Sequence, residues 1–492
     1  MGAELSALGG RVVLLRHAIG LGAEGQIEPG IYQADLTDAG TAGRLVDLVR
    51  REHGPIGGIV HLLPLAEREH FEAMDLAGWR AALARDVKSL FHVARASAHD
   101  LRQAGDGRGA WVLAATTMGA AYEEDPSLRR PFFPGQGGIA GLVKTLALEW
   151  PGVHCKVVGL DADDPAALHA EQVLGELTAG DGLVEVGYSG ARRRTLQPRL
   201  VPLDPGGPLR LAIDSDWVIL VTGGARGITA EVAAELAERY RPTLVLVGRS
   251  PLPEPDESPA TRELASPQGL KDALMESMRR GGQAVTVAGV EAAYQRLLKD
   301  REIRASLARM ERAGSKVRYH QADARDEPAM RSLVEETYRE HGRLDGVIHG
   351  AGVIEDRLVE DKTAESFDRV FDTKTESAFV LSRVLRAESL RFLALFGSAS
   401  GPFGNRGQSD YAAANEILNK LALHLGRSWP GRVFSISWGP WQKTGMVSPE
   451  LQREFARRGI ELISIPTGCR LFDQELRHGG RDHPEVILAG GA

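Results

Sequence analysis

The sequence predicts an α/β fold in which two similar units follow one another, each built on a doubly wound parallel sheet. Apolar runs of strand length alternate with helical hydrophobic patterns, and this alternation is typical of βαβ units with parallel strands. Three motifs also recur at a constant offset, which indicates an internal duplication. The repeated motifs are Gln-Ala-Asp at 33–35 and 321–323, Glu-His-Gly at 52–54 and 340–342, and a Gly-x-x-His strand at 58–61 and 346–349.

The apolar runs place the strands of both units. In the first unit they predict strands at 11–15, 58–62, 110–114 and 155–160. In the second unit they predict strands at 217–221, 244–247, 316–319, 392–396 and 433–438. The offset then drifts, but correspondence continues between 86–88 and 372–374 and between 135–136 and 407–408.

The boundary between the units is predicted near residues 200–215, because 201–208 is rich in proline and glycine and reads as a linker. Residues 1–205 would form the first domain and residues 206–492 the second. Within the second domain, residues 251–297 begin with several prolines and insert a partly helical segment between the second strand and its usual helix. Two interpretations of this insertion stay open, a docking surface or a solvated excursion.

Composition limits the class of function. The chain has 492 residues, 43% hydrophobic and 25% charged, and its net charge of -7 argues against nucleic acid as the main partner. Its two cysteines, Cys155 and Cys469, lie far apart, which fits a reduced compartment without a disulfide framework. No apolar run reaches the roughly 18 residues of a membrane helix, and no signal-peptide pattern opens the chain. We therefore expect a soluble, cytoplasmic protein with no membrane segment and no metal site.

A dinucleotide-binding loop is predicted at the start of the second unit. The strand at 217–221 runs into Thr-Gly-Gly-Ala-Arg-Gly-Ile at 222–228 and then into a helix at 229–240. In this Rossmann-like arrangement, backbone amides and the helix dipole bind a pyrophosphate. The next strand is followed by Arg249, which can pair with a 2′-phosphate where a carboxylate would bind a ribose hydroxyl. Arg226 can add to that contact, so the preferred cofactor is NADPH over NADH.

The predicted cofactor site extends over the strand ends that follow. Asp323 is placed to meet the adenine, and residues 350–352 would line the nicotinamide side. The alternative is a glycine-rich turn that binds no ligand. The full predicted set is Thr222, Gly223, Gly224, Arg226, Gly227, Ile228, Arg249, Asp323, Ala324, Gly350, Ala351 and Gly352.

The first unit also contains a glycine motif, formed by Gly20, Gly22 and Gly25, but it lacks the accompanying helix. Only a few residues separate this motif from the strand near Tyr32, so no helix N-terminus can face a phosphate there. A fingerprint without its helix is weak evidence for a cofactor. We therefore expect the first unit to be truncated, cofactor-free and structural.

A catalytic site is predicted where the strand at 392–396 ends and a helix begins near Tyr411. Ser398 and Tyr411 can meet there, and two converging hydroxyls can hold one carbonyl oxygen while the phenol protonates it. The alternative is that Ser398 only ends a strand and Tyr411 only packs under a helix. In the first unit Ile139 stands opposite Tyr411, and Val143 stands opposite Asn415, so that unit has no phenol to deliver a proton.

The phenol needs a nearby cation that lowers its pKa from about 10. Lys420 lies nine positions after Tyr411, about 180° around a helix, and so points away. Lys374, on the preceding helical segment, can enter the site from the side, although its counterpart Lys88 leaves open that it is a solvated helix lysine. Asn415, four residues after Tyr411, shares its helix face and could hold a water or orient Lys374.

The substrate groove is predicted at the carboxyl ends of the strands of the second sheet. Past the last strand, residues 439–441 and 444–446 form a loop. Trp441 in that loop and a helix predicted at 449–459 would cover the groove as a lid.

Taken together, these motifs resemble the ketoreductase domains of modular polyketide synthases, which belong to the short-chain dehydrogenase/reductase superfamily. The resemblance covers nearly the whole chain, since those domains also pair a cofactor-free structural subdomain with a catalytic one. The amino-acid sequence at 404–420 looks most similar to that of the ketoreductase of polyunsaturated-fatty-acid synthases. Two positions depart from the family pattern, where Gly397 replaces a usual serine and Thr229 a frequent glycine. The resemblance rests on 222–228, 347–352, Lys374, Ser398, 407–415 and 438–441.

The resemblance implies a role for each catalytic candidate. Tyr411 would be the proton donor and Ser398 the second hydrogen bond to the oxyanion. Lys374 would contact the ribose and tune the pKa of the tyrosine, and Asn415 would belong to a proton relay. On the substrate side the predicted residues are Asp356, Phe403, Gln408, Trp441 and Met446.

The implied function is NADPH-dependent reduction of a 3-ketoacyl thioester, held on the phosphopantetheinyl arm of an acyl carrier protein, in polyketide or polyunsaturated fatty acid biosynthesis. Other domains of a multidomain synthase would be the remaining partners. Residues 354–356 resemble a fingerprint of ketoreductases that form the 3R alcohol, and Phe403 stands where the competing type has tryptophan. Two alternatives remain, a free-standing reductase of small ketones and a non-catalytic scaffold module. The intact catalytic set argues against the scaffold.

Overall fold

Fifteen strands and twelve helices carry the fold in the part of the chain that the computed structural model describes, namely residues 5, 10–20, 24–107, 109–123, 131–201, 206–442, 453, 457 and 459–490. The strands are β1 (Leu14–His17), β2 (Gly25–Glu28), β3 (Ile31–Ala34), β4 (Gly58–His61), β5 (Ala110–Thr116), β6 (Val153–Gly159), β7 (Glu185–Ser189), β8 (Arg192–Arg194), β9 (Val218–Thr222), β10 (Thr243–Gly248), β11 (Lys316–Gln321), β12 (Gly346–His349), β13 (Phe392–Ser398), β14 (Arg432–Trp438) and β15 (Glu485–Leu488). The helices are α1 (Ala39–His53), α2 (Leu76–Leu83), α3 (Ser89–Gly105), α4 (Gly137–Glu149), α5 (Ala166–Thr178), α6 (Gly227–Tyr240), α7 (Pro267–Arg280), α8 (Val287–Arg312), α9 (Glu327–His341), α10 (Ala364–Val384), α11 (Ser409–Leu425) and α12 (Ile465–His478), with a separate short turn at Ser400–Phe403.

The second unit is built on one seven-stranded sheet in the order β11-β10-β9-β12-β13-β14-β15. All of its strand pairs are parallel. Strands β9, β12 and β14 are buried along their whole length, as the continuous apolar runs predicted. The chain winds outward from β9 in both directions, so the topological switch lies between β9 and β12 and opens a crevice at their carboxyl ends. The predicted α/β, doubly wound fold is confirmed for this unit.

The first unit divides its strands between two smaller sheets. Strand β3 pairs in parallel with β1 and antiparallel with β2. The other sheet has the order β4-β5-β6-β7-β8, parallel except for its last strand. Between β1 and β3 the described residues include the hairpin strand β2 and no helix. Gly25 begins β2, which agrees with the predicted absence of a helix after the glycine motif, whereas Gly22 lies outside the described residues.

The insertion is helical over much of its length. Helix α7 and the first part of α8 lie within the predicted bounds of 251–297, but α8 continues without interruption to Arg312. Each helix has a side-chain N-cap, since Ser266 accepts from Gly269 N and Thr286 accepts from Gly289 N. Helix α8 therefore contains both the end of the insertion and the helix that usually precedes β11, with no break between them. None of the described helices combines the length and apolar composition that crossing a membrane requires.

The two units meet through α4 and α11, which pack against each other at very short range. An added Cβ at Gly141 would lie 2.3 Å from the carbonyl oxygen of Ala412, and one at Gly137 would lie 2.9 Å from that of Glu416. Side chains at these positions would therefore collide with the backbone of α11. Glycine is needed on this face of α4 so that the helices can approach closely.

Polar contacts from the first unit fix loops of the second. Glu149, at the end of α4, accepts hydrogen bonds from Gly407 N and Val359 N, both at 2.8 Å. Arg80 forms two hydrogen bonds with Glu376 of α10, at 2.7 and 2.8 Å. The first unit thus holds both the turn that precedes α11 and the helix α10.

Replacing Gly141 by alanine should lower the free energy of unfolding by about 1–3 kcal/mol, because the new methyl group overpacks the backbone of α11. Urea unfolding followed by circular dichroism measures the change. Gly175→Ala is the matched control: Gly175 lies in α5, its added Cβ would meet nothing within 4 Å, and the substitution should stabilise the helix by about 0.5–1 kcal/mol. Equal effects of the two substitutions would show that the approach of α4 to α11 is not tight.

Candidate active site

A cavity of about 670 Å³ lies at the carboxyl ends of β9, β10, β12, β13 and β14. Strands of a doubly wound sheet place their loops at this edge, so residues far apart in sequence meet there. Many of the predicted site residues line this cavity. They are Gly223, Arg226, Gly227, Ile228, Arg249, Asp323, Ala324, Gly350, Ala351, Gly352, Lys374, Ser398, Phe403, Gln408, Tyr411 and Trp441.

The glycine-rich loop has the shape that a dinucleotide phosphate requires. Gly223 has a φ of 73°, and an added Cβ would lie 3.0 Å from the backbone of Gly350, so no side chain fits there. Gly227 has a φ of 61° and begins α6, so its N–H has no partner within the helix and points to where an anion can bind; in this structure it donates to Glu302 at 2.8 Å. The residues present therefore fit a nicotinamide dinucleotide.

Two predicted loop residues lie behind the cavity wall. Thr222 is fully buried, and its Oγ1 lies 2.8 Å from Nδ1 of His349. Gly224 packs on Val221, where an added Cβ would lie 2.7 Å from a methyl carbon. Both residues support the shape of the loop. Burial lowers the pKa of His349 to about 3, and the nearby amine of Lys374 adds to this effect, so the imidazole is neutral.

The charged residues predicted for the adenosine side are partly engaged within the protein. Arg249 is exposed and borders the cavity, as a contact to a 2′-phosphate requires. Arg226 instead donates from Nε to Glu302 at 2.8 Å. Asp323 is paired with Arg325 at 2.8 Å, and the hydrogen bond from Arg325 is the main cause that lowers its pKa. Glu302 itself gave no signal in the sequence analysis.

Ser398, Tyr411 and Lys374 converge at the inner end of the cavity. Ser398 ends β13 and Tyr411 lies in the first turn of α11, as predicted. The Nζ atom of Lys374 lies 5.6 Å from the centre of the Tyr411 ring and donates to the carbonyl oxygen of Phe396 at 2.7 Å. Gly352 leaves room for this side chain, since an added Cβ there would lie 2.9 Å from Cε of Lys374.

Lys374 is buried, with 3% of its surface exposed, so the alternative of a solvated helix lysine is wrong. Its counterpart Lys88 also is not solvated, because it pairs with Asp368 and Asp372 at 2.7 and 2.8 Å. Lys420 points away from the site as predicted, and its amine pairs with Glu416 at 3.0 Å.

The electrostatics of the phenol differ from the prediction. Burial raises the pKa of Tyr411 to about 12, although hydrogen bonds with Asn415 and Ser398 act in the opposite direction. Burial also lowers the pKa of Lys374 to about 7. The lowered phenol pKa expected from the sequence is therefore wrong for the cofactor-free chain. The pKa of Tyr411 is raised because burial disfavours the phenolate, and because the same burial removes much of the charge of Lys374 near neutral pH.

Asn415 lies one helical turn after Tyr411 and packs behind it. Its Nδ2 donates to the carbonyl oxygen of Tyr411 at 2.7 Å. Its Oδ1 is buried without a hydrogen-bond donor among the described residues. A buried acceptor of this kind is usually paired with ordered water.

A line of hydrogen bonds connects Ser398 to the loop at 354–356. Ser398 donates to Ser400 at 3.2 Å, and Ser400 donates to Oε1 of Gln408 at 2.6 Å. Gln408 then donates from Nε2 to Asp356 at 3.1 Å. Gln408, predicted as a substrate contact, is 5% exposed and joins Ser398, through Ser400, to the loop at 354–356.

A buried ion pair, which the sequence analysis missed, connects the same loop to α11. Lys362 donates to Asp410 and to the carbonyl oxygen of Glu355, both at 2.7 Å. Asp410 in turn accepts from Tyr411 N at 2.8 Å. Neither Lys362 nor Asp410 stands out in the sequence, since surface helices carry similar charges.

The remaining substrate predictions meet different outcomes. Phe403 lines the cavity and is 49% exposed at its rim. Trp441 is 3% exposed and packs edge-on against Trp438, with ring centres 5.1 Å apart. Trp441 is thus a buried part of the cavity wall, and its predicted role in a lid stays a prediction. Met446 and most of the helix predicted at 449–459 lie outside the described residues.

Comparison with known proteins agrees with this geometry. Residues 218–443 match the family described as KR domain, and residues 4–159 match the family described as Enoyl-(Acyl carrier protein) reductase. The structure superposes on an A-type ketoreductase from a modular polyketide synthase with a TM-score of 0.70 and 25% identity, covering 98% of this chain and 89% of that one. The chain belongs to the ketoreductase domains of the short-chain dehydrogenase/reductase superfamily. This membership implies an oxidoreductase that uses a nicotinamide cofactor.

Two further relatives show the extent of the similarity. The ketoreductase chain is 30% identical over 478 residues to one polypeptide of the polyunsaturated fatty acid synthase of Thraustochytrium sp., covering 94% of this chain and 16% of that synthase polypeptide. An N-terminal ketoreductase from the macrolactin assembly line shares the fold, with a TM-score of 0.70 at 20% identity over 99% of this chain and 83% of that one. The chain therefore spans a small part of the synthase that it resembles.

Replacing Lys374 of this ketoreductase by methionine should raise the free energy of unfolding of the cofactor-free protein by about 1–3 kcal/mol at pH 7. Because the folded-state pKa of Lys374 is lowered to about 7, the unfolded chain binds more protons between that pH and the ordinary lysine pKa of about 10.4. The advantage of the variant should therefore shrink as pH rises towards about 10. Urea unfolding across this pH range measures it.

Lys88→Met is the matched control for that experiment. The charges of Asp372 and Asp368 outweigh burial and raise the pKa of Lys88, so its removal leaves carboxylates unpaired and should destabilise the chain. A stability loss at Lys374 as large as that at Lys88, and independent of pH, would contradict a desolvated amine at Lys374.

Proposed function

We propose that this chain catalyses the NADPH-dependent reduction of a 3-ketoacyl thioester to the 3-hydroxyacyl thioester. The observation that carries the proposal is the convergence of Ser398, Tyr411 and Lys374 at one end of a cavity whose other end is lined by the glycine-rich loop and Arg249. NADPH would supply a hydride to the β-carbon of the substrate. The chain's own residues supply the binding surface and the proton.

The cofactor would be held by the loop at 223–228 and by Arg249. The amide of Gly227 and the positive end of the α6 dipole favour the pyrophosphate. Arg249 ends the second strand of the sheet, where its guanidinium can pair with a 2′-phosphate that NADH lacks. This arrangement supports the preference for NADPH.

Ser398 and Tyr411 would bind the ketone oxygen. Their hydroxyl groups stabilise negative charge as it develops on that oxygen, and the phenol of Tyr411 donates the proton. A phenol with a pKa of about 12 remains a stronger acid than an alcohol, so it can still protonate an alkoxide. The backbone N–H of Ser400 donates to Oγ of Ser398 at 3.2 Å and holds the serine oxygen in place, and the hydroxyl proton, which points to Ser400 in this structure, would turn to the ketone oxygen when the substrate binds.

Lys374 and Asn415 would return a proton to Tyr411. A lysine with a pKa of about 7 can both give and accept a proton near neutral pH. Oδ1 of Asn415, which has no hydrogen-bond donor among the described residues, would hold a water next to this pair. Both residues therefore support a relay behind the phenol.

The substrate would arrive on an acyl carrier protein, delivered by a phosphopantetheinyl arm. The support is the similarity to part of a polyunsaturated fatty acid synthase, of which this chain covers 16% of one polypeptide. Flanking domains of such a synthase would be its other partners. The cytoplasmic location expected from the sequence stays a prediction.

Tyr411→Phe should lower the rate of NADPH oxidation with a 3-ketoacyl thioester by about 100-fold or more, because the proton donor is lost. Absorbance of the reduced nicotinamide follows the reaction, and NADH should be the poorer cofactor. Tyr240→Phe is the control, since that hydroxyl pairs with Asp473 outside the cavity. Unchanged turnover of Tyr411→Phe would exclude the phenol as donor. Wild-type protein that neither turns over nor binds NADPH would favour the scaffold alternative.

A carrier-bound 3-ketoacyl chain should be reduced with a higher kcat/KM than a small ketone, because binding energy from the arm contributes to the transition state. Chiral chromatography of the released acid should show the 3R alcohol. Preference for small ketones would favour a free-standing reductase. A 3S product would contradict the assignment based on residues 354–356.

A further inference from the structure

A carboxylate of the chain itself lies at the phosphate end of the cavity. Oε1 of Glu302 accepts a hydrogen bond from Gly227 N at 2.8 Å, and its Oε2 accepts one from Nε of Arg226, also at 2.8 Å. Gly227 is the first residue of α6, and its N–H has no partner within the helix. Glu302 thus holds the two donors that a dinucleotide phosphate would need.

We propose that Glu302 sets the affinity for the dinucleotide by competing with its phosphates for Gly227 N and Arg226. The inference rests on the proposed NADPH cofactor. One amide cannot serve two anions, and two negative charges at the same helix N-terminus repel each other. Glu302 therefore releases Gly227 and Arg226 when the cofactor binds.

Packing of α8 on α6 places Glu302 at this point. Arg309, two helical turns after Glu302, faces the same side of α8. It pairs with Glu231 at 2.6 Å and with Glu238 at 2.7 Å, both on α6. These ion pairs fix the register of the two helices, so that Glu302 meets the first turn of α6.

The insertion holds the same helix from its other side. Arg301 pairs with Glu257 at 2.7 Å, and Arg304 pairs with the same carboxylate at 3.2 Å. Glu257 belongs to the segment that precedes α7, within the inserted residues. The insertion therefore buttresses the part of α8 that carries Glu302, a role that neither sequence interpretation included.

Because the contact between Arg226 and Glu302 is exposed to solvent, it weakens dinucleotide binding and does not prevent it. The side chains of Arg226 and Glu302 are each 42% exposed. Ion pairs with this exposure are weak in water, so a dinucleotide can displace the carboxylate. The free energy spent on displacing Glu302 lowers the affinity of the chain for the dinucleotide.

Isothermal titration of the full chain with NADPH, ADP and adenosine tests the proposal. Glu302→Gln keeps the shape of the side chain and removes its charge. It should lower the Kd for NADPH about fivefold, and that for ADP similarly, because both carry the pyrophosphate. The Kd for adenosine, which has no phosphate, should not change. Glu311→Gln, an exposed position on the same helix, should leave all three unchanged.

Each other outcome overturns the inference in a distinguishable way. Equal or weaker binding of NADPH by Glu302→Gln would show that Glu302 does not compete, while the proposed function would stand. An equal gain for adenosine would show that the effect does not act on phosphate. Absence of NADPH binding in both proteins would overturn the inference together with the cofactor assignment. Thermal unfolding confirms that the variant is folded, and Glu302→Ala replaces it if it is not.

Discussion

The close approach of α4 to α11 is the constraint on which the rest of the structure depends. Helix α11 carries Tyr411 and Asn415, and its backbone lies directly against the glycine face of α4. Glycine has no Cβ, so helices can approach until backbone atoms touch, and dispersion contacts along the seam become numerous. The first unit has Ile139 at the position that corresponds to Tyr411, and it provides the surface against which α11 packs.

This constraint extends into the site through the turn before α11. Gly404 lies against the backbone of Lys144, and Glu149 accepts the amides of Gly407 and Val359. One carboxylate therefore joins the turn before α11 to the loop that contains Val359. The hydrogen-bond line from Ser398 through Gln408 to Asp356 runs across the same space. The first unit thus orders site residues that belong to the second unit.

Burial of a titratable group in the candidate site costs stability. Lys374 donates to the carbonyl oxygen of Phe396, pairs with no carboxylate among the described residues, and has a pKa that burial lowers to about 7. An unpaired buried lysine is unfavourable, and such groups are typical of functional sites. Lys88, at the corresponding place in the first unit, is instead neutralised by Asp368 and Asp372. The two corresponding lysines therefore have different environments, because burial dominates at Lys374 and ion pairs to the second unit hold Lys88.

Local sequence did not predict β2, β7, β8 or β15. It was enough to predict the other strands, the glycine-rich loop, the strand end at Ser398, the helix start near Tyr411 and the choice of Lys374 over Lys420. These follow from hydrophobic period, helix geometry and the carboxyl-end rule for parallel sheets. Only the tertiary structure decided the raised pKa of Tyr411, the burial of Trp441, the Lys362–Asp410 pair and the position of Glu302. Each of these depends on which distant segment packs beside the residue, and desolvation and ion pairing arise from that packing and from no local pattern.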